Sequence, residues 1–219
     1  DFGGRINSKF NRLKGWLEFR ANIDYRQAKR NKQGTYFGQA LLNNPTRSPY
    51  DENSRSGYNI WIGEANDYNF IADAALYASN SLDKWFKPEI MAKLNILPVE
   101  GLSYQQSVGY STFQYEDHGY TSMYHSACVA DNVNGSASLA FSKNERLNTE
   151  GYFSYDRSFK GGHKVNAVLG YSYNRYDGER FSMSNSNFSV DGIKYWDIGK
   201  GSYLNDGLAS MSSEKNITE

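Results

Sequence analysis

The chain has 219 residues, with 24 Lys plus Arg balanced by 24 Asp plus Glu, 39% hydrophobic residues and a mean hydropathy of −0.73. Without a basic block it lacks the electrostatic footing for nucleic-acid binding, and no run approaches the roughly eighteen apolar residues of a spanning helix. Its 16% aromatic content, including 18 Tyr, and its low apolar content suit long two-faced strands in which only alternate positions are greasy.

A first strand is expected over about Arg5–Arg12, closed by a tight Leu13-Lys14-Gly15 turn. From Trp16 to Gln27 the alternation is nearly unbroken: Leu17, Phe19, Ala21, Ile23 and Tyr25 share one face, and Glu18, Arg20, Asn22, Asp24 and Arg26 the other. A soluble half-buried strand usually holds such a pattern for about five or six residues. Here it holds for twelve, which span roughly 40 Å and, tilted near 45°, about 28 Å along a membrane normal. Ala28 to Pro88 then reads as a long polar excursion, with helical spacing over Tyr36–Asn43 and over Asn69–Ser79, where Ile71, Ala74, Ala75 and Ala78 recur.

Strands resume at Glu89–Leu97, with Ile90, Ala92, Leu94 and Ile96 on one side. After a Pro98-Val99-Glu100-Gly101 turn they continue at Leu102–Phe113, with Leu102, Tyr104, Val108 and Tyr110 aligned. Gln114 to Glu145 is a second polar excursion. In Arg146–Phe159, Leu147, Thr149, Gly151, Phe153 and Tyr155 alternate with Asn148, Glu150, Ser154 and Asp156. Lys160-Gly161-Gly162 supplies a short turn, with glycine for positive φ. From His163 the next strand places Val165, Ala167, Leu169, Tyr171 and Tyr173 opposite Lys164, Asn166, Gly170, Ser172 and Asn174; Arg175 to Glu219 is a third excursion.

Short turns alternating with long loops are the asymmetry of outer-membrane barrels, whose long loops face outward. The expected fold is therefore all-β: an antiparallel transmembrane β-barrel segment with long extracellular loops, residues 1–219 forming part of one barrel domain. Five or six recognisable strands fall short of the eight of the smallest closed barrel, and the chain opens at Asp1 and stops in a polar stretch, so it reads as a piece of a larger barrel.

Three stretches carry a family likeness. Trp16-Leu17-Glu18-Phe19-Arg20-Ala21-Asn22-Ile23-Asp24-Tyr25 resembles an early barrel strand of the SusC/RagA group of TonB-dependent outer-membrane transporters of Bacteroidetes. Leu41-Leu42-Asn43-Asn44-Pro45-Thr46-Arg47-Ser48-Pro49-Tyr50-Asp51 is similar to that group's NPT-x-PVYD loop, with Ser48 a departure. His163-Lys164-Val165-Asn166-Ala167-Val168-Leu169-Gly170-Tyr171-Ser172 is similar to its H-x-L-N-A-L-L-G-Y strand. The resemblance implies a 22-stranded barrel with an N-terminal plug, energy relayed by TonB through that missing part, a SusD-like surface lipoprotein as lid, and import of glycan oligosaccharides or, in some members, peptides. The plug, the TonB box and the remaining strands are absent from this sequence.

For substrate binding the candidates are the loop aromatics Tyr58, Trp61, Tyr195 and Trp196, whose rings can stack on a sugar face while nearby Asn or Asp bonds its hydroxyls. Their plainer reading is loop packing or contact with a lid. Glu18, Arg20, Asn22, Asp24 and Arg26 read first as a cross-strand charge ladder. Cys128 stands alone, outside metal-ligand spacing. His118, His125 and His163 lie near serines but without a G-x-S-x-G elbow, an HExxH or a Cys/His set, so neither catalysis nor a cofactor is expected. The alternative function is a self-contained β-rich surface, adhesion or scaffold protein.

Overall fold

The computed structural model describes residues 2–12, 16–32, 37–42, 44–61, 68–202 and 209–218. They form one antiparallel seven-stranded sheet in strict chain order: β1 Phe2–Arg12, β2 Leu17–Lys32, β3 Tyr77–Asn95, β4 Leu102–Thr121, β5 Ser136–Ser158, β6 Lys164–Ser186 and β7 Ala209–Thr218. Short helices α1 (Phe37–Leu42), α2 (Phe70–Leu76) and α3 (Ser126–Ala130) lie in the connections. Both helical expectations hold in their centres, although the chain leaves α2 for β3 at Tyr77, two residues before Ser79. The Leu13-Lys14-Gly15 turn lies outside the described residues.

Register turns the separate alternations into one surface, because directly opposed residues in an antiparallel pair share a face. Leu17, Leu94, Tyr104, Phe153 and Leu169 align across β2 to β6, and so do Ala21, Ile90, Val108, Thr149 and Tyr173. On this face the apolar stretch covers Leu17–Tyr25 of β2, Phe86–Leu94 of β3, Leu147–Tyr155 of β5 and Val165–Tyr173 of β6, nine residues each. Its upper limit is abrupt. The row that begins with Tyr25 and Phe86 turns polar at Thr112, Glu145, Asp177 and Lys215, and the one beyond it reads Gln27, Lys84, Gln114, Lys143, Glu179.

Gln106 is a polar residue inside the apolar band, and its amide is satisfied locally. Tyr104 and Tyr171 donate hydroxyls to its Oε1 at 2.5 and 2.6 Å, and its Nε2 donates to Thr149 Oγ1 at 2.8 Å. Tyr171 can lie there because its neighbour is Gly151, where a Cβ would come within 2.5 Å of the Tyr171 ring.

Three corrections concern the excursions. Strand extends into each of Ala28–Pro88, Gln114–Glu145 and Arg175–Glu219: β2 runs to Lys32, β3 starts at Tyr77, β4 runs to Thr121, β5 starts at Ser136, β6 runs to Ser186, and β7 was not expected at all. Strands of 20 to 23 residues, roughly 65–75 Å long, project beyond the apolar band. The alternation of short and long connections survives. The turns 96–101 and 159–163 are tight, and Gly101 at φ +87° has a Cβ direction pointing 2.1 Å from the Asp156 carbonyl, so only glycine fits.

Above the band the apolar-face side regains a core. Tyr120, Ala137, Phe188 and Ile198 are buried together, with Leu139, Met183 and Tyr195 packed against them. Residues 187–202, which follow β6, fold back over this side of the strand tops as a strap. At the rim, Asp191 accepts from Tyr120 Oη, Ser122 Oγ and the Met123 amide at 2.7, 2.9 and 2.9 Å. In α2, Asp73 accepts from the Ser126 amide at 2.8 Å and from Ser126 Oγ. These two carboxylates stitch the three long connections into one collar.

Candidate functional site

The opposite face is polar, and the grooves of the molecule open on it. Across β2 to β7 one row reads Arg26, Trp85, Phe113, Asn144, Gly178, Glu214. Trp85 and Phe113 lie with ring centroids 5.0 Å apart at 32°, and the Arg26 guanidinium sits 5.2 Å from the Trp85 centroid. Cross-strand aromatic pairs of this kind add about 0.5–1.5 kcal/mol beyond area burial. Next to them Tyr176 donates to Asn144 Oδ1 at 2.8 Å, with the Arg146 guanidinium 5.9 Å over its ring. Gly178 leaves room for that phenol, since a Cβ there would lie 2.9 Å from the Tyr176 oxygen.

Two grooves share this patch. One of about 630 Å³ is lined by Tyr115, Ser142, Asn144, Tyr176, Arg180 and Glu214. A second of about 220 Å³ is lined by Trp85, Lys87, Ser111, Phe113, Arg146 and Tyr176. The surface therefore offers flat rings, amide and hydroxyl groups and guanidinium donors side by side, the chemistry of a binding wall. Lower on the same face the expected cross-strand pairing of the charge ladder is present where Arg5 holds Asp24 at 2.7 Å, whereas Arg20 pairs at 2.5 Å with Glu18, two residues away on its own strand.

The four loop aromatics separate into two places. Tyr50 and Tyr58 form an isolated bridge with rings 5.7 Å apart, and Arg47 lies 5.5 Å over the Trp61 ring. The Trp61 indole N–H is buried and finds no acceptor among the described residues. Asn69 fastens this loop to α2: its amide donates to Pro49 and Asn59 carbonyls at 2.7 and 2.8 Å, while its Oδ1 caps the Ala72 amide. Tyr195 and Trp196 belong instead to the strap on the apolar-face side. Tyr195 accepts from Asn80 at 3.0 Å and stacks on His118 with centroids 5.1 Å apart; Trp196, against it, is 78% exposed. The two pairs have separate partners, and neither pair lies in the groove row.

Trp85 was missed because it falls in the stretch read as loop. Phe113 carried a signal: it is an aromatic on the polar side of β4, opposite in phase to Val108 and Tyr110.

Serine and histidine in the collar serve the loops. Ser122 donates to Asp191, Ser126 to Asp73, and His125 Nδ1 accepts from the Ala127 amide at 3.2 Å. Burial lowers the His125 pKa, only partly offset by Asp73. Burial likewise pushes the Cys128 thiol up, which keeps it protonated and unreactive. Among the described residues no His, Cys, Asp and Glu cluster could hold a metal ion.

No family model matches the chain, and no curated protein matches it. Solved structures do. The RagAB peptide importer in its open-open state superposes with a TM-score of 0.69, the RagAB peptide transporter with 0.68, and the importer in its closed-closed state with 0.67. Each is 17% identical and covers 98% of this chain and 24% of that chain. The likeness is one of fold: the meander of long antiparallel strands is built like a stretch of those chains, and it spans about a quarter of their length.

Proposed function

We propose that this chain is part of the barrel wall of a TonB-dependent outer-membrane transporter that imports oligomeric nutrients, glycan oligosaccharides foremost, with a SusD-like lipoprotein over its mouth. The observation that carries this reading is the apolar band on one face, nine residues long on β2, β3, β5 and β6, which the register continues across β4. Nine to eleven residues is the length a tilted strand needs to cross hydrocarbon. Leu169 is 75% exposed on that face, Ile90 49% and Tyr171 55%, an arrangement that lipid covers and water does not. No helix among the described residues is long and apolar enough to cross a membrane, which leaves the strands as the crossing elements of this reading.

The cargo assignment rests on the polar face, where rings and hydroxyl-bonding groups alternate. A peptide cargo is the second reading, favoured by the fold likeness to a peptide importer. Transport rather than catalysis is the role assigned, since the collar serines and histidine are engaged in holding loops together.

The test is uptake by intact cells expressing the full-length protein and its neighbouring lipoprotein, with labelled oligosaccharides and oligopeptides offered in separate assays. TonB-dependent oligosaccharide uptake is expected. Uptake of peptides alone would replace the cargo, and a protein that fractionates away from the outer membrane would end the transporter reading.

A further inference from the structure

We propose that the strap on the apolar-face side is a contact site for the sugar headgroup of a glycolipid in the surrounding leaflet, with Trp196 the ring on which a sugar stacks. This rests on the outer-membrane reading and goes beyond it by naming what covers the wall above the hydrocarbon. Three tiers follow one another up this side. The apolar band comes first, and a charged zone comes next. That zone is paired within the wall: Lys143 holds Glu145 at 3.0 Å, Arg175 holds Asp177 at 2.7 Å, Lys84 lies 3.7 Å from Glu116, and Lys215 stands opposite Asp177. With Lys29 and Glu179 added the zone stays near neutral, so charge selects no partner here. The third tier is apolar again. Leu82, Phe141 and Phe181 share one row, and Leu139 and Met183 lie in the next, packed against the strap core. Phe181 stays 37% exposed and, on the strap, Val190 55% and Trp196 78%.

His118, Tyr195 and Trp196 form a pile of rings leading from the wall outward: the first two stack with centroids 5.1 Å apart at 18°, and the last two lie 4.9 Å apart at 42°. Asn80 fixes Tyr195 through a 3.0 Å hydrogen bond, so the exposed outer ring rests on a held support. A propped aromatic face is what stacking on the C–H side of a pyranose needs, and exposed Lys194 and Asp197 flank it with partners for sugar hydroxyls. Height decides the class of lipid. His118 lies six residues above Thr112, the β4 position in the row at the top of the band, hence roughly 20 Å along the strand and about 14 Å along a membrane normal at a tilt near 45°. The headgroup region of an ordinary bilayer adds only about 5–8 Å on each side of the hydrocarbon, and interfacial aromatic girdles belong at that lower level. Rings at about 14 Å reach past phospholipid heads, where the leaflet continues only if its lipids carry sugars. Apolar, charged and aromatic tiers thus match the acyl chains, phosphates and sugars of a lipopolysaccharide.

The experiment reconstitutes the full-length transporter, with and without its neighbouring lipoprotein, into phosphatidylcholine nanodiscs. Separate samples contain equal molar amounts of lipopolysaccharide with its core sugars, lipid A stripped of them, or phosphatidylglycerol, and hydrogen exchange is followed at the strap amides, residues 187–202. Core-bearing lipopolysaccharide is expected to slow exchange about two- to ten-fold relative to the other two, the range that one ring stack gives. Trp196→Ala should lose that protection while exchanging like the wild type in phosphatidylglycerol discs, and Trp196→Phe should keep it. Equal protection by lipid A would assign the effect to phosphates and overturn the sugar contact. Protection that appears only with the lipoprotein would make the strap a protein interface, and a Trp196→Ala strap that exchanges faster in every disc would make the ring a structural prop; both overturn it too. Unchanged exchange in all three lipids also overturns it, and outer-membrane insertion and uptake that persist in that case leave the transporter reading standing. A full-length chain that stays soluble without lipid ends both.

Discussion

The phenol of Tyr120, near the top of β4, donates a 2.7 Å hydrogen bond to Asp191, 71 residues further along the chain. Tyr120 is 3% exposed, and burial together with the Asp191 carboxylate holds its pKa above the ordinary tyrosine value, so it stays a donor at any working pH. Asp191 also takes Ser122 Oγ and the Met123 amide, which makes one carboxylate the clasp of the strap.

Asp191→Ala would strand those three donors, at about 1–3 kcal/mol for each one left buried without an acceptor. The strap should then detach from the Phe188 and Ile198 core. Limited proteolysis of the full-length protein is expected to cut faster within 187–202, with Asp191→Asn intermediate. An unchanged cleavage rate would show that packing alone holds the strap.

Leu169 and Val168 are exposed to the same degree, 75% and 74%, yet point to opposite faces of β6. Near the midplane an arginine facing lipid costs about 2–4 kcal/mol, whereas one facing the lumen is tolerated. Leu169→Arg, and Ala21→Arg on β2, should block assembly in the outer membrane, while Val168→Arg should insert normally. Heat-modifiable migration on gels reads the difference. Normal insertion of Leu169→Arg would reverse the face assignment.

Trp61 and Trp196 separate by their surroundings. Trp196→Ala removes an exposed ring on the apolar-face side and should leave oligosaccharide affinity unchanged. Trp61→Ala removes the partner of Arg47, a contact worth about 0.5–1 kcal/mol or more, and should lower the melting temperature. Titration and thermal unfolding of both variants check this; a drop in affinity with Trp196→Ala would bring the strap back as a binding element.

Acid should loosen the collar at His125. Its folded-state pKa is depressed by burial, so the unfolded chain binds the proton more readily than the folded one. The stability contributed by neutral His125 is complete above its unfolded pKa of about 6.5 and declines as pH falls toward the lower folded value. Protonation also removes the Nδ1 lone pair that caps the Ala127 amide. Hydrogen exchange of the α3 amides, corrected for its intrinsic pH dependence, should show less protection at pH 5.5 than at 7.5. His125→Gln should flatten the change, and equal protection at both pH values would rule the histidine out.

Legibility followed the physics of each segment. Where one face is apolar over nine residues, as in β2 and in the lower part of β6, period-two alternation exposed both the strand and its faces, and register then agreed with every aligned residue from Leu17 to Tyr173. The strand tops lost that signal. In Tyr77–Asp83 and Gln114–Thr121 polar or small residues stand on both faces, the alternation of Ala137, Leu139 and Phe141 with serines is only three positions long, and β7 has only Met211 and Ile217 as large apolar residues, so these segments read as loops. Hydrogen bonding to a neighbouring strand decides them, and that neighbour is distant in sequence.

By itself the sequence determined the antiparallel meander, the tight turns at Gly101 and Gly161-Gly162, and which side of β2 to β6 is greasy within the apolar band, because those depend on residues one or two positions apart. Only the tertiary structure decided the length of the strands, the seventh strand, and the meeting of Trp85 with Phe113 and of Asp191 with Tyr120. It also placed Tyr195 and Trp196 on the apolar-face side, away from the grooves. Each of these depends on which chain lies opposite, and pairing across a sheet is set by register and loop closure over tens of residues, which no local pattern encodes.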